Sequence, residues 1–420
     1  MKFTAPRGTR DILPDESPRW QWLESCFREV CRRYGYREIR TPTFEDTELF
    51  ARSAGEGSEL VSKQMYTFAD QAGRSNTLRP EGTPPVMRAF VEHQLASRGG
   101  TQKLFYIAAI FRYDRPQAGR YREHTQVGAE AIGPPGPDAD AELLALYTDF
   151  LAALGIKGAV LQLNSIGDAQ CRPRYVEALR KYYEPHLAGV CDFCRERYQS
   201  NPLRLLDCKR QHERGLVSDA PNVLEYLCDP CREHFDGLRR LLDELEVPYQ
   251  VNPRIVRGLD YYTRTAFEVL HDKLGAQDAI AGGGRYDGLA EELGGPPTPA
   301  IGFGSGVERL LLAQEAEGVP PPKEEPPVYI AAASDSARTP ALALALELRR
   351  AGLAVELDHQ RRSLKAQMRE AGKLGSRWVI LLGDEELASG QVTVRDMQEA
   401  TQTAVPRADL HSYLTKKEAS

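Results

Sequence analysis

A chain of 420 residues has room for two or three domains, at roughly 150 residues each. Charged residues make up 27% of it and the net charge is −6, which excludes a globally basic nucleic-acid binder and leaves any nucleic-acid partner to local basic patches. No run approaches the roughly 18 apolar residues of a membrane span, and the charged opening MKFTAPRGTRDILP lacks the apolar stretch of a signal peptide. A cytoplasmic protein with no membrane partner is expected. The eight cysteines are too sparse for the covalent framework of a small secreted domain and are read as reduced thiols.

Residues 18–34 form the first expected helix, with Ser17 as its cap, Pro18 at its first position, and Leu23, Cys26, Phe27, Val30, Cys31 and Tyr34 recurring at three and four. Gly35 ends it. The segment Tyr36 to Phe44 alternates polar and apolar residues around Thr41 and Pro42, and proline restricts it to an edge or interface strand. From Leu104 to Gly133, two strand-like runs flank DRPQAGR, so an antiparallel hairpin with a long basic loop is expected. A second pair of strands, Arg264 to His271 and Asp278 to Gly282, runs into a glycine-rich turn at Gly282 to Gly284. This antiparallel preponderance, together with the lack of an early G-x-G-x-x-G, argues against a Rossmann sheet.

Residues 169–247 interrupt the strands with helix-like, cysteine-bearing sequence and are read as an inserted domain. Within it, C-D-F-C at Cys191 to Cys194 and C-D-P-C at Cys228 to Cys231 have the pairing that tetrahedral zinc favours, with Cys208 as a further candidate. Their separation exceeds that of compact knuckles, so a structural zinc and free thiols both stay open, and no metal ligand is assigned. Residues 316–327, proline-rich and charged, form a stiff linker. Beyond it, VYIAAA, a helix near Thr339 to Ala351, LAVELD, a helix near Ser363 to Gly372, RWVILLG and VTVRDM alternate as in a small α/β domain with a partly parallel sheet, covering residues 328–420.

Four peptides carry a resemblance. FRYDRPQAGRYRE around Arg112 and GFGSGVERL around Arg309 resemble motifs 2 and 3 of class II aminoacyl-tRNA synthetases. RGLDYYTRTAFE and AGGGRYDGL resemble the two signature peptides of the histidyl-tRNA synthetase family, and the likeness runs over nearly the whole chain. It implies an α+β fold: a class II antiparallel-sheet catalytic core over residues 1–325, the mostly helical insertion, and a C-terminal α/β anticodon-binding domain. It also implies a homodimer, with Pro42 in the motif that builds the interface.

Activating an amino acid requires its carboxylate to attack the α-phosphate of ATP, so the site needs fixed cations with forked donors. The resemblance assigns Arg112 to the α-phosphate, Arg309 and Arg120 to ATP, and Arg257 to the space between carboxylate and phosphate; Arg112 and Arg257 are the catalytic candidates. In LRPEGTPPVMR, Glu81 and Thr83 suit an α-ammonium group, since both accept hydrogen bonds and one carries the opposite charge. By resemblance Gln126 joins them, Glu130 and Tyr262 face the imidazole nitrogens of L-histidine, and Tyr261 lies beside them. The glycines at 302, 304 and 306 are expected to leave space under the adenosine. Arg115 and Gln117 sit in a basic loop suited to the acceptor end of histidine tRNA. Mg²⁺ should arrive with ATP, held mainly by phosphates.

Two departures stand out. Asp114 replaces the usual glutamate of the Arg-x-Glu element, and His124 stands where a phenylalanine commonly stacks on adenine. In the C-terminal unit Arg361, Arg362, Lys365, Arg369 and Lys373 could meet anticodon phosphates or form a solvated helix face. The rival reading is a histidine-binding, synthetase-like regulatory paralogue without aminoacylation activity. Such paralogues tend to lose the ATP-binding arginines and the anticodon domain, both kept here. RGLDYYT and AGGGRYDGL weigh against a prolyl or threonyl enzyme, and no HIGH-like or KMSKS-like peptide points to class I.

Overall fold

The computed structural model describes residues 3–55, 58–117, 119–206, 208, 215–257, 259–275, 278–323 and 325–418. The chain divides into two compact units, Met1–Pro322 and Lys323–Ser420. In the first, the strands in chain order are β1 (Arg37–Glu38), β2 (Phe44–Asp46), β3 (Tyr66–Ala69), β4 (Ser75–Leu78), β5 (Gln102–Phe111), β6 (Glu123–Ile132), β7 (Ala159–Ser165), β8 (Gln250–Val251), β9 (Thr263–His271), β10 (Ala279–Arg285) and β11 (Ala300–Gly306). Eight of them make one sheet in the order β1-β5-β6-β11-β10-β9-β7-β8, and β2-β4-β3 make a small second sheet. The central pairs from β5 to β7 are all antiparallel, while β1 and β8 join the two edges in parallel.

The expected hairpin is β5 and β6, registered from Gln102 opposite Ile132 to Phe111 opposite Glu123. The Pro42 segment follows β1, the edge strand, as a residue that cannot donate to a ladder requires. The first helix spans Ser17–Arg33, but Ser17 does not cap it: Glu16 holds the cap position and the Ser17 hydroxyl donates to the Leu13 carbonyl at 3.2 Å. The glycines 282–284 lie inside β10 rather than in a turn. They pair with β9 on one side and β11 on the other, and Arg257, the Gly302 carbonyl and the Thr265 carbonyl leave no room for a Cβ at 282, 283 and 284 in turn.

Strand alternation decides which face becomes the site. Phe105, Val127, Ala129, Phe267, Ile301 and Phe303 point to one face, where helices Ser17–Arg33, Pro137–Ala153, Asp229–Glu244 and Val307–Glu317 cover them in the main core. Their neighbours Tyr106, Gln126, Gly128, Glu130, Glu268, Gly302 and Gly304 therefore face the other way. On that side the helix Thr83–Glu92 packs with Tyr106, Tyr261, Tyr262 and Tyr286.

Within residues 169–247, the helices Arg172–Tyr183 and Asp192–Ser200 have a core of their own, built on Tyr175, Leu179, Tyr183, Leu205 and Leu206. The helix Asp229–Glu244 instead gives Phe235, Leu238 and Leu242 to the core under the sheet. The two C-x-x-C pairs do not come together as one four-cysteine set. Cys191 and Cys194 group with Cys208, while Cys228 and Cys231 group with Cys171 and Asp168.

The second unit is a five-stranded sheet of β12 (Val328–Ala332), β13 (Val355–Leu357), β14 (Trp378–Leu382), β15 (Gln391–Asp396) and β16 (Thr401–Pro406), ordered β13-β12-β14-β15-β16. Its first three strands are parallel and the last two antiparallel, joined by helices Arg338–Arg350 and Leu364–Lys373. In the basic stretch, Arg362 is drawn to the unit itself through Asp358 and Glu370.

One polar network runs through the first unit. Arg285, 0% exposed, places Nε 2.8 Å from Asp140 and Nη1 2.9 Å from Asp287, and donates to the carbonyls of Pro134 and Gly136. The second oxygen of Asp140 accepts from Thr265 at 2.6 Å and lies 2.9 Å from His234 Nε2. Removing one partner strands a buried charge. Asp140→Ala should cost about 3–5 kcal/mol in urea unfolding, and a loss below about 1 kcal/mol would show that the network is dispensable.

Candidate active site

A cavity of about 430 Å³ opens on the face that alternation leaves free of the main core. It is lined by Glu81, Thr83, Arg112, Arg120, Gln126, Arg257, Tyr261, Tyr262, Gly282 and Arg309, which, Gln126 apart, come from the four peptides and from LRPEGTPPVMR. Glu130 is not at its surface. Arg115 and Gln117 are exposed on the hairpin loop, where Gln117 and Arg120 bridge their backbones at 3.1 and 2.9 Å. Ala118, between them, lies outside the described residues.

One end of the cavity is acidic and hydroxyl-rich. Glu81 is 4% exposed and Tyr261 Oη donates to its Oε2 at 2.9 Å. Its other oxygen, Oε1, is buried with no hydrogen-bond partner. Burial raises the Glu81 carboxyl to about 7, against the pull of Arg112, the Tyr261 hydrogen bond and Arg257. An unpaired buried acceptor beside open space is costly alone and becomes a receptor once a donor enters. The Tyr106 hydroxyl donates to Gln126 Oε1 at 3.0 Å, fixing that amide.

Glu130 lies one layer behind this surface. Thr83 Oγ1 donates to its Oε1 at 2.7 Å, and the Tyr286 hydroxyl donates to Oε2. Burial lifts its carboxyl to about 8, opposed by those two hydrogen bonds. Tyr261 stacks at a tilt on Tyr262, ring centres 4.6 Å apart, and meets Tyr286 edge-on at 5.8 Å.

The other end is cationic. Arg112 Nε donates to the Pro80 carbonyl at 2.7 Å, and Arg309 donates to the carbonyls of Gly119 at 3.2 Å and Ala279 at 2.6 Å. Arg120 pairs with Asp114 at 2.7 Å, whose other oxygen accepts from Gln64 at 3.0 Å, so the shorter carboxylate holds its arginine. Between the ends, Arg257 pairs with Glu268 at 2.6 Å and lies 5.4 Å from the Tyr262 ring. Backbone carbonyls and single carboxylates orient these cations without cancelling the positive end. His124 is held down to about 3, by burial first and then by Arg112, Arg309 and Arg120, and so stays a neutral ring at physiological pH.

Close approach explains the glycines here. A Cβ on Gly282 would stand 2.5 Å from Arg257 Nη1, and one on Gly304 2.5 Å from Gln126 Nε2. A Cβ on Gly302 would overlap the Glu130 carboxylate. Gly302 and Gly304 therefore make room for the protein's own side chains, in place of the space under adenosine expected from the sequence. Three lining residues escaped the sequence reading. Tyr106 is recognisable only through strand register, whereas Glu268 ends the quoted peptide RGLDYYTRTAFE. Glu308, inside GFGSGVERL beside Arg309, was within reach of it. Glu308 accepts from the Thr125 amide at 2.9 Å, keeps a buried oxygen without a partner, and is raised by burial to about 7.

Comparison with known proteins follows the same lines. Residues 8–310 match the family described as Histidyl-tRNA synthetase, and residues 327–417 match the one described as Anticodon binding domain. A histidine–tRNA ligase of Caldanaerobacter subterraneus subsp. tengcongensis is 49% identical, over 96% of this chain and 97% of its own length. One from Thermotoga maritima is 50% identical, over 99% of each. The apo crystal structure of the S. aureus histidyl-tRNA synthetase superposes with a TM-score of 0.84 at 38% identity, covering 98% of this chain and 99% of the other. With a buried, half-partnered carboxylate and several arginines lining one cavity, and relatives matched over nearly their whole length, the chain belongs to the histidyl-tRNA synthetase family.

Proposed function

We propose that this protein is a histidine–tRNA ligase: it activates L-histidine with ATP to histidyl-adenylate, releasing pyrophosphate, then transfers histidine to the 3′-terminal ribose of its tRNA. The observation that carries the reading is the buried, unpartnered Oε1 of Glu81, in a cavity whose opposite end holds Arg112, Arg120 and Arg309. An α-ammonium would satisfy that oxygen, with Thr83 and Gln126 beside it. This leaves the substrate carboxylate directed at the cations. Tyr262, backed by Tyr261, would meet the imidazole, while Glu130 acts from behind by fixing Thr83 and Tyr286.

When the carboxylate attacks the α-phosphate, negative charge grows on the phosphoryl oxygens and the leaving pyrophosphate. Arg112 would stabilise the first and Arg309 with Arg120 the second. Arg257 lies between Gly282 and Glu268, fixed where it can touch both carboxylate and α-phosphate. Mg²⁺ enters as MgATP, held chiefly by phosphates, and Glu308 offers the free carboxylate oxygen nearby. His124 would stack on adenine as a neutral ring. For the transfer step, the exposed Arg115 and Gln117 would meet the acceptor end, and the second unit would bind the anticodon.

A homodimer is supported by the exposed aromatics Phe44 and Phe68, 50% and 43% exposed, which pack edge to face on the small sheet beside the Pro42 segment. No helix among the described residues is long and apolar enough to cross a membrane. The cytoplasm, where tRNA and ATP meet, is the compartment this reading requires.

Charging of a histidine tRNA transcript with labelled histidine tests the proposal. Product should form with histidine and ATP, and Arg309→Ala should lower its rate at least about a hundredfold, as for loss of one charge-stabilising donor. Histidine binding without charging would favour the regulatory reading. A second expectation comes from Glu81. Its carboxyl in the empty site ionises near 7, so raising pH from about 6 to 8 creates the charge that the ammonium pairs with, and histidine affinity should rise. The histidine imidazole titrates in the same range, near 6.5, so Glu81→Gln is the control. That variant should bind at least about tenfold more weakly by calorimetry, a loss of about 1.4 kcal/mol, and with a shallower pH slope. Equal slopes would remove Glu81 from the ammonium site.

A further inference from the structure

We infer that Asp168, Cys171, Cys228 and Cys231 form a structural zinc site that fastens the inserted segment to the stretch that leads from Tyr262 into β9. The four side chains come from three stretches of chain: the loop after β7, the start of helix Arg172–Tyr183, and the start of helix Asp229–Glu244. One ligand atom from each lies within 4.8 Å of every other. Tetrahedral zinc, with bonds of roughly 2.3 Å to sulfur and 2.0 Å to oxygen, spaces its ligands about 3.5 Å apart for sulfur to oxygen and about 3.8 Å for sulfur to sulfur. Cys171 Sγ lies 3.5 Å from Asp168 Oδ1, and Cys228 Sγ lies 3.8 Å from the same oxygen and 4.0 Å from Oδ2. Both Oδ1 distances lie close to the sulfur-to-oxygen edge of such a site.

Two helix starts face the cluster. Cys171 and Cys228 are the N-caps of their two helices, neither using its side chain to cap, so two positive helix ends converge on the sulfurs. The Asp168 amide donates to Cys171 Sγ at 3.3 Å, the kind of outer contact that supports a bound thiolate. Asp168 Oδ1 also accepts from the Gln170 amide at 2.9 Å, a contact that turns the carboxylate toward the sulfurs. Cys171 and Cys231 are 3% and 0% exposed, so the cluster is sheltered. Three thiols and one carboxylate, hard to satisfy among themselves, match zinc in number, softness and geometry.

The C-x-x-C construction recurs at Cys191 and Cys194. Cys191 caps its helix with φ −67° and ψ 159°, against −68° and 162° at Cys228. With Cys208 it presents three sulfur ligands, Cys191 and Cys208 being 3.8 Å apart. The proposal rests on the four-ligand group, which has a complete set among the described residues.

Its connection to the active site is short. Arg172, next to Cys171, donates to the Tyr262 carbonyl, and Gly167, next to Asp168, accepts from the Arg264 amide at 2.8 Å. A metal at Asp168 and Cys171 would hold both contacts to helix Asp229–Glu244 and hence to the main core.

Elemental analysis of the full-length protein, expressed with zinc and purified without chelator, tests the inference. Wild type should carry at least one zinc per chain, Cys228→Ser should lose one equivalent, and Cys26→Ser, in the first helix, should lose none. Zinc well below one equivalent in wild type, or full retention by Cys228→Ser, would overturn the site. Should Cys228→Ser fail to fold, Asp168→Cys serves instead, because it keeps four ligands. Its cobalt(II) derivative should show stronger sulfur-to-metal charge-transfer absorption than wild type, and an unchanged spectrum would also overturn the site.

Discussion

The Arg285–Asp140 pair is the constraint on which the catalytic unit depends. Both side chains are 0% exposed, and a charge taken so far from water is tolerable only when fully paired and hydrogen-bonded. That condition fixes where strand β10 can run. Arg285 ends β10, Asp140 lies in helix Pro137–Ala153, Thr265 in β9 and His234 in helix Asp229–Glu244, so one network locks four elements. With β10 set, Gly282 falls under Arg257 and Tyr286 falls behind Glu130. The signature AGGGRYDGL thus carries structural residues at one end and site-shaping glycines at the other.

The cavity separates charge along its length. Carboxylates and hydroxyls occupy one end and arginines the other, with Arg257 between them. Two of the carboxylates, Glu81 and Glu130, are held above the usual range by burial, and each is met by hydroxyl donors that do not neutralise it permanently. A substrate that is a cation at one end and an anion at the other relieves both costs at once, which is how such a site selects an amino acid before ATP chemistry begins.

Much of this was legible in the sequence because local rules and tertiary demands agree there. The β5–β6 hairpin follows from its turn residues and alternation, and Glu81, Arg112, Arg257 and Arg309 meet in one cavity as their peptides imply. The errors have physical sources. Gly282 to Gly284 read as a turn because glycine runs usually are turns; here Arg257 over Gly282, the backbone carbonyls against Gly283 and Gly284, and a positive φ at Gly284 demand them within a strand. Sequence spacing sets the two C-x-x-C pairs against each other and cannot show that Cys228 and Cys231 meet Asp168 and Cys171, which follow β7. Tyr106 reaches the site by strand register alone, which a single sequence does not display.

The central claim is that this cavity selects histidine and drives its attack on ATP. Amino-acid-dependent ATP–pyrophosphate exchange, run without tRNA on each of the twenty amino acids, addresses it most directly. The account predicts exchange with histidine alone. Exchange with another amino acid, or none with histidine despite its binding, would contradict it.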